Sequence, residues 1–339
     1  MEVKKNFNIG FAILRIYLSF LVVNRHIFIP SVTARKKIII RIIRIPIHVP
    51  TFYLMSFFFC NNLFKSKNIR KIKLRFQRIL IPYFVWPIII LSLNNLLSFI
   101  IKKIDIIYFK NLILQLITGN DFMGVLWFQC NLILITLLII IIHFLFNEKL
   151  AIYALLNLFF FGIYFTYSNY NFLFFSKYNT CIRLTFGRFF EISGFCITGY
   201  FLAYSNLFYI LLKNRILSIN IFMPILILII KFNIFLWIKG FDFQGLGLYI
   251  LSISVFFLFS LIPNERFENK YIIKFIKIIS NHTAGIYFIH NHVFFYLKIF
   301  SLVKNGSFIA SIIVYFISYF ISFYGKLKFR KTKLINLFQ

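Results

Sequence analysis

The chain has 339 residues, 61% of them hydrophobic, and a mean hydropathy of +0.86. Soluble domains are typically about 45–50% apolar, so this composition excludes an ordinary soluble fold and points to the membrane. The formal charge of +30 comes from 38 Lys and Arg against 8 Asp and Glu. These charges punctuate apolar runs instead of covering one folded face, so they read as juxtamembrane anchors on lipid headgroups and not as a nucleic-acid footprint.

Apolar stretches at 7–29, 45–64, 79–101, 124–146, 149–167, 185–207, 216–237, 245–263, 276–299 and 306–325 are each long enough to cross a bilayer as a helix. The expected fold class is therefore all-α: a polytopic integral membrane protein of about ten transmembrane helices, in a single domain over residues 1–339. The amino-terminal stretch mimics a signal peptide, but Arg15 interrupts its apolar core, and it reads as a retained span. The segment 105–119 carries Asp105, Lys110 and Gln115 and reads as an interfacial helix. An even number of spans puts both termini on one side. The Lys and Arg bias makes that side cytoplasmic, chiefly through the basic loop 65–78, in what is expected to be a bacterial cytoplasmic membrane. The basic loop 31–44 runs against this bias and reads as a segment lying on the membrane.

The first span holds Arg15, Arg25 and His26. Eleven positions separate Arg15 from His26, which is roughly 16 Å along a helix axis. They also turn through about 1100°, only about 20° past three revolutions, so both side chains share a face while Arg25 points about 100° away from His26. A guanidinium at bilayer depth must face protein, water or a ligand. A histidine on the same face is suited to general-base work, and the arginine to holding an anion or orienting a neighbour. A snorkelling histidine beside a structurally paired arginine is the plainer alternative.

Further along, Arg75 and Arg78 share a helix face just before a span enters the membrane. Such a pair grips phosphates by charge-assisted hydrogen bonds, or simply anchors the span at the inner surface. Trp127, in Leu126-Trp127-Phe128, is either an interfacial anchor or a cavity wall. Glu191 is the acidic residue that falls inside a span, with Arg188 one turn away, and reads either as a functional group or as half of an ion pair. Late in the chain, His282, His290 and His292 invite a metal reading. Helix phase separates them by about 80° and about 200°, so they do not converge and no metal is expected. His290, near Tyr287, reads as a lone histidine lining a cavity. Cys60, Cys130, Cys181 and Cys196 form no metal or redox spacing and read as small core residues.

Taken in order, these landmarks resemble the integral-membrane acyltransferase-3 family, which O-acylates glycans and other cell-surface molecules. The resemblance rests on Arg15 followed eleven positions later by His26, and on Pro50-Thr51-Phe52 leading to Ser56-Phe57-Phe58. It continues with Arg75-Phe76-Gln77-Arg78 running into Ile79-Leu80-Ile81-Pro82-Tyr83, then Leu126-Trp127-Phe128, then Gly285-Ile286-Tyr287-Phe288-Ile289-His290. One departure is Phe57, where the family pattern has glycine after the second-span serine.

The resemblance implies transfer of an acyl group, acetyl being the expected one, from acyl-CoA to a hydroxyl of a cell-surface or lipid-linked glycan. It implies His26 and Arg15 as catalytic residues and Arg75 and Arg78 as the CoA-binding pair. Trp127, Glu191, Tyr287 and His290 would line the substrate cavity. The implied partners are membrane lipids, the acyl-CoA donor and the saccharide acceptor. A translocator of polysaccharide or lipid-linked sugar, without transferase chemistry, is the competing expectation, since it also accounts for aromatic richness and intramembrane charge.

Overall fold

The computed structural model describes residues 8–27, 47–101, 113, 116, 126–168, 180–205, 207–238, 246–264, 267, 269–303, 307–332 and 335. The loop 31–44 lies outside the described residues, as does the 119–124 loop before Leu126. Of the interfacial helix expected at 105–119 only Ile113 and Leu116 are described, both helical.

Among the described residues the elements are helices, with no strand. They are α1 (Ile9–Ile27), α2 (His48–Lys65), α3 (Ile69–Ile101), α4 (Leu126–Leu145), α5 (Glu148–Ser168), α6 (Thr180–Tyr204), α7 (Leu207–Lys213), α8 (Arg215–Ile238), α9 (Leu246–Ser260), α10 (Lys270–Ser280), α11 (Thr283–Ile299) and α12 (Phe308–Lys328). An apolar chain in lipid has no water to satisfy its amides, and the helix satisfies them within the segment. Among the described residues five helices are long and apolar enough to span a membrane: Ile9–Ile27, Ile69–Phe99, Leu126–Leu145, Arg215–Phe232 and Phe308–Lys328. The protein is an all-α, polytopic integral membrane protein.

Asparagine starts several of these helices, because its side-chain oxygen accepts a first-turn N–H that has no carbonyl partner. Asn8 Oδ1 accepts from Phe11 N–H at 3.0 Å, Asn68 from Lys71 at 3.1 Å, Asn147 from Leu150 at 3.0 Å and Asn269 from Tyr271 at 2.8 Å. Within the spans, serine and threonine hydroxyls donate back to the preceding turn, as Ser19 does to the Ile16 carbonyl and Thr198 to that of Gly194.

Two elements differ from the sequence expectation. The span expected to begin at 79 is part of one helix from 69 to 101, so Arg75 and Arg78 are built on the same rod as the apolar segment that contains Pro82 and Pro87. The span expected at 276–299 is broken at Asn281 and His282 into α10 and α11. Lys270, Lys274 and Lys277 fall at i, i+4 and i+7, so α10 carries a cationic stripe that favours a polar surface, and asparagine is a poor helix former where it ends.

The chain forms two compact units, residues 1–56 with 201–320, and 57–200 with 321–339. In the first unit α1 packs against α9, α10 and α11. Ile9, Leu14, Leu18, Leu21, Val23 and Ile27 of α1 are all buried and point to opposite sides of the helix, so α1 is enclosed on more than one face. At Gly10 an added Cβ would collide with the carbonyl oxygen of Phe259, so glycine lets α1 approach α9 closely there. Phe11 meets Phe256 and Phe208 beside it, and Ser19 Oγ lies 3.1 Å from the Tyr315 hydroxyl of α12. The segment from Gly285 to Val293 in α11 is buried on all sides, which makes this helix the centre of the unit.

In the second unit α4 packs against α3 and α5. Tyr83, Leu126 and Cys130 form one buried cluster, with the Tyr83 hydroxyl donating to the Leu116 carbonyl at 2.5 Å. Another cluster joins Phe64, His143 and Tyr200, and Phe57 stacks on Phe64 at 6.0 Å between ring centroids. The bulky residue at 57 is therefore absorbed by aromatic packing. Large apolar side chains such as Leu96 and Phe99 on α3, Ile216 and Leu228 on α8, and Ile309 and Phe316 on α12 are exposed, as lipid-facing side chains are.

Candidate active site

In the first unit α1 is unbroken from Ile9 to Ile27, so the three-turn spacing of Arg15 and His26 applies to a real helix. Arg15 is half-buried, and the His26 and Arg25 side chains are exposed. The packing of α1 on α11 brings His26 against His290, with ring centroids 5.2 Å apart and planes tilted by 55°.

His290 has no exposed surface. Its Nδ1 lies 2.7 Å from the Tyr287 carbonyl oxygen and 3.2 Å from that of Ile286. Carbonyl oxygens only accept, so Nδ1 is the protonated nitrogen and Nε2 carries the lone pair. That Nε2 is buried and has no hydrogen-bond partner among the described residues. Tyr287, one turn earlier, places its ring 6.1 Å from that of His290.

His48, buried at the start of α2, lies within electrostatic reach of Arg25 and His26. Sequence reasoning passed over it, although a histidine at the mouth of a span was the available signal. Asn24 was also missed. It sits one residue from Arg25, is 1% exposed, and neither amide atom has a hydrogen-bond partner among the described residues. His282 falls in the turn between α10 and α11 and packs edge-on to Tyr319 at 5.6 Å, while His292 is buried further along α11. Among the described residues no group of three or more His, Cys, Asp or Glu is arranged to hold a metal ion.

The remaining sequence-predicted residues are in the second unit. Arg75 and Arg78, one turn apart on α3, differ in exposure: Arg78 is exposed, while Arg75 is half-buried with its Nε enclosed. The Arg75 charge acts on Cys196 in α6, so this side chain is directed into the unit. The Cζ of Arg188 lies 4.2 Å from the Trp127 ring centroid, a cation–π contact. Glu191 is half-buried one turn further along α6 and feels the Arg188 charge. The spacing linked Arg188 to Glu191, and the fold adds Trp127 to the pair.

The first unit thus presents an exposed imidazole beside a buried one of fixed tautomer, with a guanidinium three turns along the same helix. Such a group can take a proton from a hydroxyl, and the arginine can steady an anion. No curated protein and no solved structure gives a significant match to the chain. A family model described as an acyltransferase domain matches residues 8–326, which reaches into both units and includes every candidate site residue. The chain belongs to the acyltransferase-3 family of membrane acyltransferases.

Proposed function

We propose that the protein moves an acetyl group from acetyl-CoA to a hydroxyl of a cell-surface or lipid-linked glycan, in the bacterial cytoplasmic membrane, with both termini in the cytoplasm and one functional domain over the whole chain. The observation that carries this reading is the exposed His26 ring set against the buried His290 in a chain of an acyltransferase family.

His26 takes the hydroxyl proton as the oxygen attacks the thioester carbonyl carbon. The carbon–sulfur bond then breaks, and the CoA thiolate recovers the proton. Arg15 steadies the anionic groups around the thioester, and Arg75 with Arg78 holds CoA phosphates. Tyr287 and His290 in the first unit, and Trp127 and Glu191 in the second, are the residues assigned to substrate contact. The accumulation of cationic side chains suits an anionic donor.

The test compares the O-acetyl content of the envelope glycan in cells with the intact chain, without it, and with His26→Ala. NMR or mass spectrometry of the purified glycan should show loss of O-acetyl groups in the last two. An unchanged acetyl content, with glycan export lost, would move the protein to the translocator class.

A further inference from the structure

The His290 imidazole is held in an unusual state for a buried group. Its Nδ1–H is committed to the Tyr287 and Ile286 carbonyls, which leaves a lone pair on Nε2 facing away from its own helix turn. That lone pair has no donor among the described residues. The neighbouring ring is His26, 5.2 Å away, whose side chain is exposed and makes no hydrogen bond among the described residues. A hydrogen bond donated by a His26 N–H would satisfy that acceptor, and the 5.2 Å between ring centroids is of the size two hydrogen-bonded imidazoles require.

We propose that His290 is the positioning residue for His26, accepting a hydrogen bond from one His26 nitrogen so that the other presents its lone pair to the substrate hydroxyl. The inference rests on the reading of His26 as the base. The backbone carbonyls of α11 set the tautomer of His290, and His290 then sets that of His26. When the hydroxyl proton moves to His26, the ester carbon–oxygen bond forms, the thioester carbon–sulfur bond breaks, and the proton passes on to the CoA thiolate. Through this cycle the imidazolium keeps one N–H on His290. Its positive charge is therefore held in place beside His290, and among the described residues Arg25 and His48 are the charged or titratable groups that also act near it.

The experiment uses the full chain in nanodiscs, radiolabelled acetyl-CoA as donor, and envelope glycan from cells lacking the chain as acceptor. Three substitutions separate the roles. His290→Gln keeps a long side chain whose amide oxygen can stand in for Nε2. His290→Asn keeps a donor for the helix carbonyls but is too short to reach His26. His290→Phe keeps the ring and removes both nitrogens. We expect Asn and Phe to lower kcat by about 100-fold, the scale of a positioned acid–base group, with KM for acetyl-CoA held within about twofold. Gln should recover about tenfold of that loss, since an amide oxygen accepts the same hydrogen bond.

Thermal melting of each variant reports folding separately. Wild-type kcat in His290→Asn, or equal losses in Gln and Asn at equal melting temperature, overturns the positioning role. Wild-type protein that transfers no acetyl group, or His26→Ala with normal turnover, overturns the reading of His26 as base and the pairing with it.

Discussion

Arg188 on α6 lies over the face of Trp127 on α4, with Cζ 4.2 Å from the ring centroid, and Glu191 stands one turn further along α6. The Arg188 charge also acts on Glu191. A cation–π contact contributes about 0.5–2 kcal/mol, more when water is excluded. Arg188→Ala removes it together with the charge that acts on Glu191, and should cost roughly 1–3 kcal/mol. Adding Glu191→Gln to Arg188→Ala should return part of that loss, because the carboxylate then no longer needs a countercharge. Melting temperatures of the two single variants and the double variant form the cycle that measures it. Additive losses would show that Arg188 and Glu191 are not coupled.

His26 contributes little to packing, since its side chain is exposed at the end of α1. His26→Ala should therefore melt like the wild type while losing acyl transfer by about 10²–10⁴-fold, the range for a general acid–base group. Parallel melting curves and transfer rates check this directly. A large fall in melting temperature would make the residue structural instead.

Arg75 and Arg78 should separate. Arg78 is exposed on α3, whereas the Arg75 guanidinium reaches into the second unit towards Cys196. Arg78→Ala is expected to raise KM for acetyl-CoA about tenfold, the loss of one charge-assisted bond to phosphate, with melting unchanged. Arg75→Ala should weaken donor use and also lower the melting temperature. Equal melting and equal KM in both variants would contradict the difference in burial.

Gly162 on α5 packs against Gly194 on α6 so closely that an added Cβ would lie 2.5 Å from the Gly194 backbone nitrogen. The obstacle is backbone, which cannot swing aside. Gly162→Ala should destabilise by about 1–3 kcal/mol through overpacking. Thermal unfolding in nanodiscs measures the cost, and an unchanged melting temperature would mean the helices separate freely.

The helix placement of several candidate residues was legible because it depends on local geometry. The spacing of Arg15 and His26 follows from helix phase, and α1 is unbroken over that stretch. The apolar runs announced helices because lipid leaves the backbone no other partner. The break at Asn281 was harder to see. Apolar residues run through both α10 and α11, and only the lysine stripe at 270, 274 and 277 signals that the first of them is amphipathic.

Composition and periodicity are properties of neighbours along the chain, and they were enough to establish a helical membrane protein with basic and imidazole groups set into its spans. Which of those groups meet was decided by helix packing. His26 lies near one end of the chain and His290 near the other, and α1 against α11 is what joins their rings. The same holds for Arg188, whose sequence neighbour is Glu191 but whose cation faces Trp127 from another helix. Burial completed the distinction between residues of one type. His26 is open, and His290 is enclosed with its Nδ1 tied to backbone carbonyls. Side-chain packing between distant segments sets that difference, and no local pattern encodes it.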